Sequence, residues 1–217
     1  MKTSFFGSEE FYSRCAAIEN GFEFFDWISS VPVKNAPTGN QKVFEEDDFR
    51  PNSIIEEFDN IRGWKILELG MLEAGHTYQL EKMGANLTSI DAHPENFLKS
   101  LFVKNALDMR AKLLLGDFAS YVNETKQKFD LIFASGVLYH MEDPIRLLID
   151  ASKRTDRLFI WTHYMLEEIK DSEFTESMNF EEIKFKCNYY KYCYDLHTDD
   201  RSYAGITNYS NRVTKEA

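Results

Sequence analysis

From Trp64 onward, short apolar runs end in Gly, Asp or other polar residues, and each is followed by a longer segment of helical period. This alternation predicts βα units around a parallel sheet. A strand covered on both faces reads as an unbroken apolar run, whereas each covering helix shows one apolar stripe. Strands are predicted at 65–69, 86–90, 111–115, 129–134 and 157–162, with helices at 75–83, 94–107, 119–125 and 144–152 between them. An α/β order of that kind predicts a doubly wound, mostly parallel sheet with helices on both faces. Its functional loops fall at the carboxyl ends of the strands.

The two ends of the chain break this rhythm. An aromatic-rich helical stretch at 11–27, a turn-prone segment at 29–40 and a second helix near 53–58 predict a helical N-terminal extension or lid over 1–60, ahead of a main domain over 61–217. Phe22, Phe24, Phe25 and Trp27 read as core. Beyond Tyr164, residues 166–172 read as a charged helix and the aromatic, polar stretch 184–194 has strand character. Residues 209–217 read as a helix start cut off almost at once, as in a shortened chain.

A chain of 217 residues suits one sizeable domain with an extension, and 43% hydrophobic with 28% charged residues is the balance of a soluble globular protein. No stretch approaches the roughly 18–20 apolar residues of a membrane span, and Met1–Gly7 lacks a signal-peptide core, so a cytoplasmic protein is expected. Cys15, Cys187 and Cys193 lack CxxC spacing, and their arrangement with His197 matches no familiar metal site, so neither disulfides nor a metal are expected. A net charge of −11 opposes a broad grip on a phosphate backbone, which favours a small-molecule partner over nucleic acid. The acidic run Glu45–Asp48 reads as a solvated loop. No pattern sets an oligomeric state.

The chemistry gathers at strand ends. The first strand closes as Glu68-Leu69-Gly70-Met71-Leu72-Glu73-Ala74-Gly75, a small-residue turn opening a helix. Gly70 and Gly75 let a ligand approach the backbone, and helix-end N–H groups suit an anionic group. Asp91 ends the second strand, where a carboxylate can accept both hydroxyls of a ribose or cap the next helix. Asp117 and Phe118 end the third, offering an acceptor for an amino group and an apolar face for a flat ring. Three acids at successive strand ends outline a nucleoside-shaped constellation. After the fourth strand comes Ser135-Gly136-Val137-Leu138-Tyr139-His140, and the fifth closes on His163-Tyr164.

In these segments the chain resembles the class I S-adenosylmethionine-dependent methyltransferases, in the subgroup with a Ser-Gly-Val-Leu-Tyr-His segment, over about residues 60–164. That subgroup includes wobble-uridine carboxymethylating enzymes and many small-molecule methyltransferases. The resemblance implies a Rossmann-like fold and S-adenosyl-L-methionine as cofactor. It places Glu68, Gly70 and Gly75 at the methionine end, Asp91 on the ribose, Asp117 and Phe118 on the adenine, and Ser135 and Gly136 near the sulfonium. Tyr139 and Tyr164 then shape the acceptor pocket. His140, with His163 as its competitor, is the expected general base, since an imidazole titrates near neutral pH. The chain departs from the family turn, whose glycines fall two and four residues after the first; Leu72 and Ala74 stand there instead. The family also continues into an antiparallel hairpin, which the sequence does not place before Ala217.

Methyl transfer to oxygen, or less readily nitrogen, of a small molecule such as a sugar or natural-product intermediate is the expected activity. A tRNA-modifying enzyme is the nearest alternative, but it calls for a basic face, and Lys and Arg are sparse in the cofactor loops. A dinucleotide-dependent dehydrogenase fits Asp91 but not the glycine spacing, and a cofactor-binding module without turnover fits the early chain end.

Overall fold

The computed structural model describes residues 21–36, 38–164, 189–193 and 209–213. Strands β1 (Lys65–Leu69), β2 (Asn86–Asp91), β3 (Lys112–Leu115), β4 (Leu131–Ser135) and β5 (Leu158–Trp161) form one parallel sheet in the order β3-β2-β1-β4-β5. Helix α1 (Phe49–Phe58) precedes the sheet, and α2 (Gly75–Lys82), α3 (Pro94–Ala106), α4 (Phe118–Glu124) and α5 (Pro144–Ser152) connect its strands. The strand order reverses between β1 and β4, which opens a crevice at their carboxyl ends.

Side-chain alternation divides the core into two layers. Ile66, Leu87, Leu131 and Phe133 face one side, against Leu80 of α2 and Val103 of α3. Leu67, Leu69, Ile132 and Ala134 face the other, against Val122 of α4 and Leu147 and Ala151 of α5. Both faces of the sheet are therefore covered, as the unbroken apolar strands require. Phe133 lies at the centre, fully buried and stacked on Phe159 at 4.5 Å. Burying a ring of that size contributes about 1.5–3 kcal/mol.

The extension shares the first layer: Phe22, Trp27, Val31, Phe44 and Ile54 pack with Ile66 and Phe133. Phe24, expected in the core, is instead 61% exposed. Helix α1 begins at Phe49, ahead of the expected 53, because Asp48 caps it by accepting from the Arg50 N–H at 3.0 Å. Pro51 is tolerated in that first turn, where its missing N–H has no helical partner to lose. The acidic run is accordingly not wholly solvated: Glu46 pairs with Lys82 at the surface, but the Asp48 side chain is buried.

One expectation fails outright. Tyr209–Val213 is strand β7, paired antiparallel with β6 (Tyr189–Cys193), and not a helix start. Pairing across a long sequence separation decides strand formation here, and no local period in the chain reveals it. These two strands pair with each other, separate from the five-stranded sheet. Strand β7 lies against a 3₁₀ turn (Leu138–His140) and α5. The helix expected at 166–172 lies outside the described residues. Among the described residues no helix is long and apolar enough to cross a membrane, and no His, Cys, Asp and Glu cluster could hold a metal ion.

Candidate active site

At the switch point the loops after β1 and β4 touch. Gly70 has φ +70°, and a Cβ there would stand 2.4 Å from Val137 Cγ1, so both its conformation and its surroundings demand glycine. The turn then continues through two more left-handed residues, Leu72 (φ 50°) and Ala74 (φ 63°). These are the positions where the family places glycine. The turn keeps the left-handed path without the residue that adopts it freely, at about 1–2 kcal/mol for each non-glycine residue. Ala74 is also the N-cap of α2 and provides no side-chain cap. Gly75 also makes room for the extension: a Cβ there would meet Val43 Cγ2 at 2.5 Å.

Gly70, Gly75, Asp91, Asp117, Phe118, Ser135, Gly136, Tyr139, His140 and His163 all line one cleft of about 1060 Å³. Glu68 and Tyr164 are not in its wall. Tyr164 is half exposed. Glu68 is buried beneath the sheet because strand alternation turns it toward α2, where it accepts hydrogen bonds from the Thr77 hydroxyl and, at 2.7 Å, from the Ser89 hydroxyl. Burial pushes the Glu68 carboxyl above its usual range, against the opposing pull of His76, Thr77 and Ser89. A carboxyl with a raised folded pKa stabilises below its unfolded value, about 4.3, and loses that contribution as pH rises through the folded value. Urea midpoints of wild type should therefore fall relative to Glu68→Gln between pH 4 and 8, and parallel curves would refute this reading of the buried acid.

The three strand-end acids do not act alike. Asp91 Oδ2 accepts from the Leu72 N–H at 2.9 Å and Oδ1 from the His93 N–H at 2.8 Å, which ties the first loop to the start of α3. Burial raises its pKa, partly offset by those two N–H groups. Asp117 caps α4, accepting from the N–H groups of Ala119 and Ser120 and from the Ser120 hydroxyl. A strand-to-helix turn needs an N-cap, and that alone is a reason for an acid at this position. The three-acid constellation is thus one buried acid and two acids in the cleft wall, one of which also caps a helix.

On the other side of the switch point, Tyr139 lies flat on His163, with ring centroids 4.4 Å apart, and tilted to His140 at 4.3 Å. Trp161 adds an edge to His163, and Arg50 lies over the Trp161 ring at 5.2 Å. Gly136 has φ +77° and donates its N–H to the Trp161 carbonyl, so the two strand ends are locked together. Sequence reasoning missed Arg50, His76 and Trp161 as cleft residues. Trp161 was legible as the aromatic two residues before a strand-end histidine; Arg50 and His76 meet only through the folding of the extension.

Residues 67–155 match the family described as methyltransferase domain. Over those residues the chain carries an S-adenosylmethionine-dependent methyltransferase domain. Among solved structures, the N-terminal domain of EvdMO1 with SAH bound is 18% identical at TM-score 0.73, covering 97% of this chain and 85% of that one. The longer EvdMO1 structure is 22% identical at TM-score 0.57, covering 75% of this chain and 37% of that one. A curated relative, the tRNA U34 carboxymethyltransferase of Campylobacter hominis, is 29% identical over 106 residues. That match spans 48% of this chain and 36% of the relative.

The methyltransferase domain meets the demands of such a cofactor with its own atoms. Asp91 lines the cleft with its carboxylate, the first turn of α2 has no side-chain cap, and Phe118 offers an apolar ring in the cleft wall. Ser135 Oγ is shielded from solvent with no hydrogen-bond partner among the described residues, a polar atom for a bound group to satisfy. The dehydrogenase reading falls with the family match.

Proposed function

We propose that this protein, in the cytoplasm, transfers a methyl group from S-adenosyl-L-methionine to a hydroxyl oxygen of a small molecule such as a sugar or natural-product intermediate. The observation that carries this reading is a single cleft joining the glycine turn and Asp91 to the aromatic wall of Tyr139, His140, Trp161 and His163. In this reading Gly70 and the opening turn of α2 take the methionine end, Asp91 the ribose diol and Phe118 the adenine face. Asp117 contributes mainly by holding α4 in place. Ser135 and Gly136 stand near the sulfonium. The cofactor supplies an activated methyl, so the protein's task is to align the acceptor, exclude water and take up the hydroxyl proton. Flat walls such as the Tyr139 and His163 stack suit a sugar or ring acceptor.

The net charge of −11 supports a small acceptor over tRNA, although the curated relative modifies tRNA. A further solved form of the EvdMO1 domain, in the presence of SAH and D-fucose, adds support for a sugar. Incubation with methyl-labelled S-adenosylmethionine and a panel of hydroxylated sugars should release S-adenosylhomocysteine, whereas deacylated tRNA should not stimulate release. Stimulation by tRNA alone would replace this reading with the tRNA one.

A further inference from the structure

The extension brings a carboxylate to a histidine outside the family motif. His76, in the first turn of α2, lines the cleft, and its Nε2 lies 3.2 Å from Asp48 Oδ2. The Asp48 carboxylate is in turn clamped by Arg50, whose Nε donates to Oδ1 at 2.9 Å and whose Nη2 donates to Oδ2 at 2.6 Å. Arg50 is held over Trp161, so the carboxylate cannot swing away without unpacking the cleft wall. Burial opposes the charge on Asp48, yet hydrogen bonds from His76 and Arg50 hold its carboxyl far below the usual range. A fixed anion at Nε2 selects the tautomer with hydrogen on Nε2 and leaves the lone pair on Nδ1, which has no hydrogen-bond partner among the described residues.

The His76 ring packs beside the fourth strand, whose carboxyl end borders the cleft. Phe133 and Ser135 alternate onto the same face of β4, with the His76 ring edge-on to Phe133 at 5.4 Å and Ser135 one step nearer the cleft. Trp161 is the register partner of Ser135 on β5. The groups facing His76 are Asp48 and Arg50 from the start of α1 and Glu68 from β1.

We propose that His76 is the proton acceptor for the substrate hydroxyl, with Asp48 and Arg50 as positioning residues, in place of His140 or His163; this rests on the methyl-transfer reading above. The acceptor O–H bond breaks and its proton passes to His76 Nδ1. The oxygen forms the new bond to the methyl carbon as the carbon–sulfur bond breaks, with its electron pair going to sulfur. The resulting imidazolium is stabilised by Asp48, and the proton then leaves to solvent.

Histidine-labelled protein, with five histidines to assign, permits a test without substrate by long-range proton–nitrogen spectra across pH 5–9. Neutral His76 should carry its hydrogen on Nε2, and Asp48→Asn should weaken that preference. In the S-adenosylhomocysteine release assay with the sugar that responds, His76→Gln should slow transfer about 100-fold. The dissociation constant for S-adenosylhomocysteine should stay within about threefold. Asp48→Asn should retain partial rate. A hydrogen on Nδ1, a tautomer preference indifferent to Asp48→Asn, or a full rate in His76→Gln would each overturn the proposal. Failure of wild type to bind S-adenosylmethionine would count against the methyl-transfer reading, while the tautomer still decides the dyad.

Discussion

Glu73→Ala should lower the thermal midpoint by about 10 °C, the largest stability loss expected from any single polar substitution in the cleft wall. Glu73 and Lys99 form an ion pair at 3.3 Å with side chains 0% and 1% exposed. The same carboxylate accepts the backbone N–H groups of Ile28 at 3.0 Å and Ser29 at 2.7 Å, which fastens the extension to the first loop. Truncation leaves a buried ammonium with Glu95 and the Asp26 carbonyl as its remaining partners, and strips two N–H groups of their acceptor. Breaking one side of a buried pair costs about 3–5 kcal/mol, and a chain of this length loses about 2–4 °C per kcal/mol. Lys42→Ala, which removes an exposed pair with Glu45, should leave the midpoint almost unchanged. Differential scanning calorimetry separates the two, and equal shifts would mean that the buried pair does not anchor the extension.

That anchor marks the boundary of what the sequence could show. The strands were legible because each is a short apolar run bounded by polar turns, and β1, β2 and β4 are covered on both faces. Helix α5 was legible to the residue, from Pro144 to Ser152, because Asp143 caps it and proline fits its first turn. Tyr209–Val213 was not, since a strand of five residues owes its form to a partner that lies about twenty positions earlier. In the site, Asp91 and Ser135 stood out because they end strands, but the same rule also picked Glu68, which alternation turns into the core, and Asp117, which caps a helix. Position at a strand end identifies the crevice. Only the direction of the side chain and the partners already on its oxygens separate a ligand contact from a structural acid. Arg50, His76, Glu73 and Lys99 carry no local signal at all, because their partners are brought together by the packing of Phe22, Trp27 and Phe44 against the sheet.

Asp91→Ala should weaken the binding of S-adenosylmethionine and S-adenosylhomocysteine by at least about 100-fold. Two effects act together. Hydrogen bonds from a diol to a carboxylate contribute about 1.5–3 kcal/mol each, and every 1.4 kcal/mol is a factor of ten. The substitution also frees the Leu72 N–H, which the carboxylate holds at 2.9 Å in a turn whose left-handed Leu72 and Ala74 are already costly, so the loop loses its fixed shape. Asp91→Asn keeps one acceptor oxygen and the same volume, and should fall between wild type and the alanine variant. Asp117→Ala provides the contrast: its oxygens are occupied by Ala119 and Ser120, so it should cost about 1 kcal/mol of stability through the lost cap and far less affinity. Calorimetric titration of the three variants with S-adenosylhomocysteine, and with NAD as a control, reads all of these together. A wild-type dissociation constant in Asp91→Ala would remove Asp91 from the cofactor site, and tight NAD binding without response to S-adenosylhomocysteine would sink the methyl-transfer reading itself.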